Sequence, residues 1–285
     1  MKSLKKYLVN LFFVFKMHLL WMHLFESMKS LNFKLSNSVK WRSDDYKYRL
    51  KMDLEISKKL SQLIPDDIVR NGPFKGMLYK NRTVIGSAVY PKLIGSYESE
   101  LNEIWNNILK IEFSTIVDIG CADGYYAVGL SRLFKNSIVY GIDIDSLALE
   151  KCKELADLNE VNVNLIKGID TNGLLNLDLS NKSLIISDCE GFELDLFQDS
   201  IFQNFGKHYF LIECHDLFNL NITETLLNRS KYTHKHTIIS STDDIFKAYF
   251  YDYPELVSFS LNEKFQILKE GRKAIMFWLY LEPID

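Results

Sequence analysis

The chain has 285 residues, a hydrophobic fraction of 47% and a formal net charge of -3. This length can bury the core of one large α/β domain with an extension, and the charge lacks the basic excess typical of nucleic-acid-binding proteins. Four cysteines without C-x-x-C spacing argue against a disulfide-rich secreted scaffold and favour a reducing cytoplasm.

Residues 7–25 form an apolar stretch with Lys16 near its centre. A lysine at the middle of a membrane span costs about 2.5 to 3.5 kcal/mol, and Lys5, Lys16 and His23 fall on one stripe of a helical wheel. The pattern predicts an amphipathic helix over residues 4–25. Three placements are open: packing on the protein or on a second copy, a peripheral position at a membrane, or a true span or uncleaved signal. No small-residue cleavage site follows, so we expect a cytoplasmic protein, with peripheral membrane contact as the alternative.

A lead-in precedes the main domain. Apolar residues between 54 and 64 predict a short helix before Pro65, and two glycine-containing turns flank aromatic residues between 71 and 98. This segment is interpreted either as a structured cap on a sheet edge or as a lid over a ligand cleft. A helix is predicted over 96–110. The expected division is an N-terminal helical extension with its lead-in at 1–95 and a main domain at 96–285.

Residues 114–131 have the pattern of a strand, a glycine turn and a helix, with Gly120 and Gly124 bracketing the turn. Such a turn lets a ligand lie against bare backbone. The dinucleotide pattern G-x-G-x-x-G is broken, because Ala122 and Tyr125 replace two of its glycines. Asp118 and Asp123 would also repel a pyrophosphate and attract a cationic ligand.

A second β-rich run, residues 137–143, ends on Asp143. An acidic side chain at this place can accept hydrogen bonds from both hydroxyls of a ribose. A glycine turn followed by a ribose-binding acid predicts a nucleoside cofactor.

These two motifs, residues 117–124 and 141–143, resemble those of the class I S-adenosylmethionine-dependent methyltransferases. The resemblance implies a Rossmann-like α/β fold, with a seven-stranded, mostly parallel sheet and helices on both faces. It also implies S-adenosylmethionine as the cofactor, and an NAD-linked oxidoreductase is disfavoured by Ala122 and Tyr125. The residues it assigns to the cofactor are Asp118, Gly120, Cys121, Asp123, Gly124 and Tyr125, with Asp143 on the ribose.

The remaining elements follow in alternation. Helices are predicted over 146–158 and 217–227, and strands over 161–166, 184–188, 208–213, 237–240 and 274–281. Asp170, after the third strand, is where the related enzymes often place a residue against the adenine. A helix cap for the residues from Thr171 onward is the alternative role.

The fourth strand ends in Asp188-Cys-Glu-Gly-Phe-Glu193, which resembles the FkbM subgroup of methyltransferases. That resemblance implies O-methylation of sugars and natural products. Candidates for proton removal are Asp188, Glu190, Glu213 and His215, and the predicted catalytic set is Asp188, Glu190 and His215. Histidine has the best unperturbed pKa for a base at neutral pH. The structural alternatives are a packing role for His215 and a helix-dipole role for Glu190.

Carboxylates at these positions could instead hold Mg²⁺. No further acids stand at ligand spacing, so a divalent metal is not favoured and no metal ligand is assigned. The aromatic block 246–253 fits a sugar-stacking wall, with core packing as the alternative. Asp188 is not followed by the two prolines typical of enzymes that methylate base amines, which argues against that class.

The sequence-based hypothesis is therefore S-adenosylmethionine-dependent O-methylation of a hydroxyl on a saccharide or sugar-bearing metabolite. The expected partner is a small-molecule or glycan acceptor and not a nucleic acid, with membrane contact or self-association through residues 4–25. The alternative is a non-catalytic nucleoside-binding or membrane-associated scaffold with the same fold.

Overall fold

The computed structural model describes residue 51 and residues 54–79, 89–179 and 182–284. The chain divides into two compact units, Met1–Lys58 and Lys59–Asp285. The predicted helix over residues 4–25 lies outside the described residues. Within the described ranges, no helix is both long enough and apolar enough to cross a membrane.

Helices and strands alternate along the described residues. The helices are residues 54–63 (α1), Val89–Ile94 (α2), Asn102–Ile108 (α3), Tyr125–Leu133 (α4), Ser146–Leu158 (α5), Thr171–Leu175 (α6), Glu193–Leu196 (α7), Asp199–Asn204 (α8), Ile222–Ser230 (α9), Asp244–Phe250 (α10) and Leu261–Leu268 (α11), with 3₁₀ turns at Ser99–Leu101 and Pro254–Leu256. The strands are Thr115–Ile119 (β1), Ile138–Asp143 (β2), Asn164–Lys167 (β3), Ser183–Ser187 (β4), Tyr209–Cys214 (β5), His234–Ser240 (β6) and Phe277–Pro283 (β7).

The seven strands form one sheet in the order β3-β2-β1-β4-β5-β7-β6. The first five in this order run parallel, and β7 lies antiparallel between β5 and β6. The prediction of a Rossmann-like, mostly parallel seven-stranded sheet is therefore confirmed. Every residue of β1 and β4 is buried, as expected for parallel strands that are covered on both faces.

The chain order reverses between β1 and β4, because β1 leads outward to β2 and β3 while β4 begins the other half of the sheet. Ligands of open α/β sheets bind beyond the carboxyl ends of the strands at such a point. One face of this region is filled by a core in which Val117 and Ile185 pack with Phe197 and Phe202. The core fixes the strand ends that carry the site.

The lead-in packs on α4. The ring of Phe74 lies where a side chain at position 129 would be, since a Cβ on Gly129 would come 2.4 Å from it. Its centroid is 5.1 Å from that of Tyr125. The Asn159 side chain bonds both the N–H and the carbonyl of Leu78. The lead-in from Lys59 onward thus belongs to the compact unit Lys59–Asp285, and the division at 95/96 stays a prediction.

Most differences from the predicted elements are shifts of their ends. The helix predicted from Leu217 begins at Ile222, because Asp216 accepts a hydrogen bond from the Thr223 N–H at 3.0 Å and residues 217–221 form a turn instead. The helix predicted over 96–110 begins as a 3₁₀ turn, since Glu98 has a left-handed φ of 46°.

We predict that Gly120→Ala destabilises the fold by about 3 kcal/mol or more, because the added Cβ causes both left-handed backbone strain and overpacking. Gly120 has φ +81°, and a Cβ there would come 1.7 Å from the Asp188 carbonyl oxygen. Urea unfolding measures the loss. Gly271→Ala is the matched control, because Gly271 has φ +73° and a Cβ added there would meet no heavy atom of the described residues within 4 Å. This variant should therefore show only the left-handed strain of about 1 to 2 kcal/mol. Equal losses in the two variants would contradict the backbone contact.

Candidate functional site

Two adjacent cavities lie beyond the carboxyl ends of the strands. The larger, of about 720 Å³, lies over the ends of β1 and β2, and the smaller, of about 270 Å³, lies beyond β4 and β5. The larger one has the volume of an ordinary small-molecule site. Both are lined by Tyr97, Asp188 and Glu190, so they meet at these three side chains.

The glycine turn forms one wall of the larger cavity. Gly120, Ala122 and Gly124 all have left-handed backbone, with φ of 81°, 48° and 90°. The N–H groups of Gly120 and Cys121 both donate to the Ile142 carbonyl, which fixes the turn to the end of β2. Four of the turn residues predicted from the sequence line this cavity: Gly120, Cys121, Asp123 and Tyr125. Gly124 precedes α4 as its N-cap and packs against Cys152.

Asp118 lies beneath the turn. It is 2% exposed, and its Oδ2 accepts a hydrogen bond from the Ala127 N–H at 2.9 Å in the first turn of α4. Burial raises the pKa of Asp118 to about 7, although the Ala127 bond opposes the shift. Asp118 lines neither of these two cavities, and its contact with the cofactor stays a prediction. Its structural role is to hold α4 under the turn.

Asp143 and Asp170 are placed differently. Asp143 lines the larger cavity at the end of β2, and its two oxygens accept from the Ala122 and Asp145 N–H groups at 2.9 and 2.8 Å. A carboxylate has further lone pairs, which could accept from ribose hydroxyls. Asp170 is the N-cap of α6 and accepts from the Gly173 N–H at 2.7 Å, as in the helix-cap alternative. Gly168 and Ile169 line the cavity there instead.

The lead-in supplies a wall of the larger cavity, in line with the sequence-based alternative of a lid over a ligand cleft, although the sequence assigns none of its residues to the site. Lys92 and Tyr97 both line the larger cavity. The Lys92 ammonium lies 2.9 Å from Asp123 Oδ1, and the Tyr79 hydroxyl donates to the other oxygen of the same carboxylate. The wall and the glycine turn are thus joined through Asp123.

The three predicted catalytic residues come together at the shared boundary of the cavities. His215 Nε2 lies 3.4 Å from Asp188 Oδ1 and 3.5 Å from Glu190 Oε2. On the other side of the ring, His215 Nδ1 lies 2.5 Å from Glu193 Oε1. His215 and Glu193 are both buried. The sequence assigns no role to Glu193, the last residue of the motif after β4, and it is the group that fixes the imidazole.

The charges of this cluster change its proton affinities. Burial would lower the pKa of His215, but the hydrogen bond to Glu193 and the negative charge of Glu213 outweigh it, so the pKa is raised above 6.5. The pKa of Asp188 is raised well above 3.8 by burial and then by Glu213 and Glu98. Both groups can therefore exchange protons closer to neutral pH than ordinary surface groups of their kind.

Arg272 balances the carboxylates of the smaller cavity. Its guanidinium forms ion pairs with Glu213, with Glu98 at 2.5 Å and with Glu270 at 3.2 Å. Burial raises the pKa of Glu98 to about 8, although the Arg272 charge opposes the shift. The sequence pattern assigns neither Glu98 nor Arg272 to the site, because they come from the residue before the Ser99–Leu101 turn and from the loop before β7.

The same cluster offers donors to a metal ion. One ligand atom each from Asp188, Glu213 and His215 lie within 4.8 Å of one another, and oxygen and imidazole donors suit a divalent cation. However, Glu213 is already paired with Arg272, and His215 is held by Glu193. A positive guanidinium beside the cluster disfavours a second cation there.

Three rings of the aromatic block 246–253 are neither core residues nor part of a wall of the two cavities. Phe246, Tyr249 and Phe250 are 50%, 64% and 67% exposed, so they are not core residues, and they line neither of the two cavities. Phe218 is an aromatic residue that does line the smaller cavity, and it stacks on His215 with ring centroids 6.0 Å apart. Its place follows from the turn over 217–221, where the sequence predicts a helix.

Comparison with known proteins identifies the central segment. Residues 116–194, which contain both the glycine turn and the motif after β4, match a family described as a methyltransferase domain. Residues 116–194 are thus similar to a methyltransferase domain. This match supports S-adenosylmethionine as the cofactor, and the seven-stranded sheet has the fold that the first motifs implied. A search of curated proteins found no match to the chain.

The solved structures with some likeness to this chain include methyltransferases. Precorrin-6y C5,15-methyltransferase from Geobacter metallireducens has 10% identity and a TM-score of 0.43, over 63% of this chain and 86% of that one. An rRNA methylase from Streptococcus thermophilus has 16% identity and a TM-score of 0.43, over 65% of this chain and 97% of that one. Geranyl diphosphate C-methyltransferase from Streptomyces coelicolor has 14% identity and a TM-score of 0.39, over 65% and 79%. Likenesses this distant carry no information on the methyl acceptor.

We predict that Asp143→Ala weakens S-adenosylmethionine binding by at least about tenfold, because a charge-assisted hydrogen bond is lost. Asp170→Ala is the matched control, since this residue caps a helix outside the cavity lining. It should cost about 1 kcal/mol of folding stability and leave the affinity unchanged. Calorimetric titration and urea unfolding of both variants measure the two quantities. A larger affinity loss in the Asp170 variant would contradict the assignment of cofactor binding to Asp143 and of helix capping to Asp170.

Proposed function

We propose that this protein is an S-adenosylmethionine-dependent O-methyltransferase acting on a hydroxyl of a saccharide or sugar-bearing metabolite. The observation that supports this most is the junction of the two cavities at Tyr97, Asp188 and Glu190, with His215 lining the smaller one. The cofactor would occupy the larger cavity and the acceptor the smaller. The methyl group would cross at the junction.

Methyl transfer from a sulfonium is an in-line displacement, so alignment and exclusion of water supply much of the catalysis. With its ribose on Asp143, the cofactor would place its adenine toward Ile144 and Ile169 and its sulfonium toward Asp188. All of these residues line the larger cavity. The acceptor oxygen would then approach from the smaller cavity, opposite the leaving sulfur.

His215 would remove the acceptor proton. Glu193 accepts a hydrogen bond from Nδ1–H, which leaves Nε2 as the basic nitrogen on the side of Asp188 and Glu190. The two carboxylates would stabilise the imidazolium as it forms and orient the acceptor hydroxyl. The raised pKa of His215 gives it a higher proton affinity than a free imidazole.

The lining of the smaller cavity favours a neutral, hydroxyl-rich acceptor. Carboxylates accept hydrogen bonds from hydroxyls, and the Phe218 ring beside His215 offers an apolar face to a sugar. The same carboxylates would repel phosphate groups, which argues against nucleic acid as a partner. A cytoplasmic location, and contact of residues 4–25 with a membrane or a second copy, remain predictions.

We predict that His215→Ala lowers kcat by about 100-fold or more and leaves the dissociation constant of S-adenosylmethionine unchanged, because a general base acts on the acceptor alone. The assay is methyl transfer in a screen of saccharides, amines and carboxylates. Methylation of amines or carboxylates alone would contradict O-methylation of a hydroxyl. Cofactor binding without turnover of any acceptor would favour the non-catalytic scaffold.

The pH profile provides a separate prediction for Glu193. His215 is active as a base when neutral, so kcat should rise through its raised pKa as the pH increases. Glu193→Gln removes the group that contributes most to raising this pKa, so the acid limb should move to lower pH while kcat falls. Exposed Glu224 on α9 gives the matched control, since Glu224→Gln should leave the profile in place. An unshifted limb in the Glu193 variant would contradict His215 as the base.

A further inference from the structure

Lys92 is a buried cation in the wall of the larger cavity. It lies in α2 and is 2% exposed. Its ammonium is surrounded by three tyrosine rings, at 5.0 Å from the centroid of Tyr125, 5.1 Å from Tyr97 and 5.7 Å from Tyr79. These rings hold the ammonium at one place by cation–π attraction.

The hydrogen bonding of Lys92 is incomplete within the described part of the chain. An ammonium has three N–H donors, and within the described residues Lys92 donates one hydrogen bond, to Asp123 Oδ1. Asp123 is occupied further by the Tyr79 hydroxyl on its other oxygen. Lys92 therefore retains donor capacity at the surface of a cavity, and a buried cation with spare donors suits an anionic ligand group.

The sheet order locates this wall relative to the cofactor. Along the larger cavity, Gly168 follows β3, Asp143 ends β2, the glycine turn follows β1 and Asp188 follows β4. With the ribose at Asp143 and the sulfonium toward Asp188, the adenine faces the β3 side. The amino-acid end must then lie at the glycine turn, where Asp123 binds Lys92.

We infer that Lys92 binds the carboxylate at the methionine end of the cofactor. The inference rests on the proposed cofactor and goes beyond it, because it assigns a residue of the lead-in to cofactor recognition. A carboxylate paired with a desolvated ammonium gains a charge-assisted hydrogen bond. The lead-in segment then completes the cofactor site that the glycine turn begins.

The test is calorimetric titration with two ligands, S-adenosylmethionine and its decarboxylated analogue, which lacks only the carboxylate. The wild-type protein should bind the analogue at least about tenfold more weakly, as expected for the loss of one charge-assisted hydrogen bond. In Lys92→Met this ratio should fall to near one. Both ligands keep the adenine, ribose, sulfonium and ammonium, so other effects of the substitution cancel in the ratio.

Two further variants make the result interpretable. Lys247→Met removes another fully buried lysine, paired with Glu270 and absent from the lining of both cavities, so the wild-type ratio should persist. The double variant Lys92→Met/Asp123→Asn does not leave a buried carboxylate unpaired. It should also give a ratio near one, and it replaces the single variant if that one folds poorly.

An unchanged ratio in the Lys92 variants, or equal wild-type affinity for the two ligands, would overturn the inference while the proposed function stands. Failure of the wild-type protein to bind either ligand would overturn the proposed cofactor and the inference together.

Discussion

The site depends on a backbone contact between the turn after β1 and the loop after β4. Gly120 approaches the Asp188 carbonyl so closely that no side chain fits between them, and the Asp188 N–H donates to the Ile119 carbonyl at 2.9 Å. Because of this contact, the glycine turn and the motif after β4 line one continuous region. A cofactor bound at the turn and an acceptor bound beside Asp188 can then meet without a domain movement.

Several non-glycine residues of the site have backbone conformations that are energetically unfavourable. Glu98, Ala122 and Glu190 adopt left-handed backbone although they are not glycine, and each of them lines at least one of the two cavities. Strained backbone of this kind tends to occur at functional sites. Buried carboxylates beside them are balanced by Arg272 and His215, and breaking such a buried pair leaves an uncompensated charge.

The sequence predicts those parts of the site whose residues stand next to each other in the chain. The glycine turn, Asp143 and the residues after β4 and β5 are local patterns, so their places could be inferred from strand order. Lys92, Glu98 and Arg272 come from distant segments with no periodic pattern, and only the tertiary fold brings them to the cavities. Asp118 bonds the Ala127 N–H in α4, which a one-dimensional pattern does not reveal, whereas Asp170 has the helix-cap role that the sequence offered as its alternative.

The central claim is that cofactor and acceptor occupy the two joined cavities. It is tested most directly by a crystal structure of the protein with S-adenosylhomocysteine bound. We expect the ribose hydroxyls on Asp143 and the sulfur facing the junction at Asp188 and Tyr97, with the smaller cavity open for the acceptor. A sulfur turned away from that junction, or a ligand bound outside the larger cavity, would contradict the account.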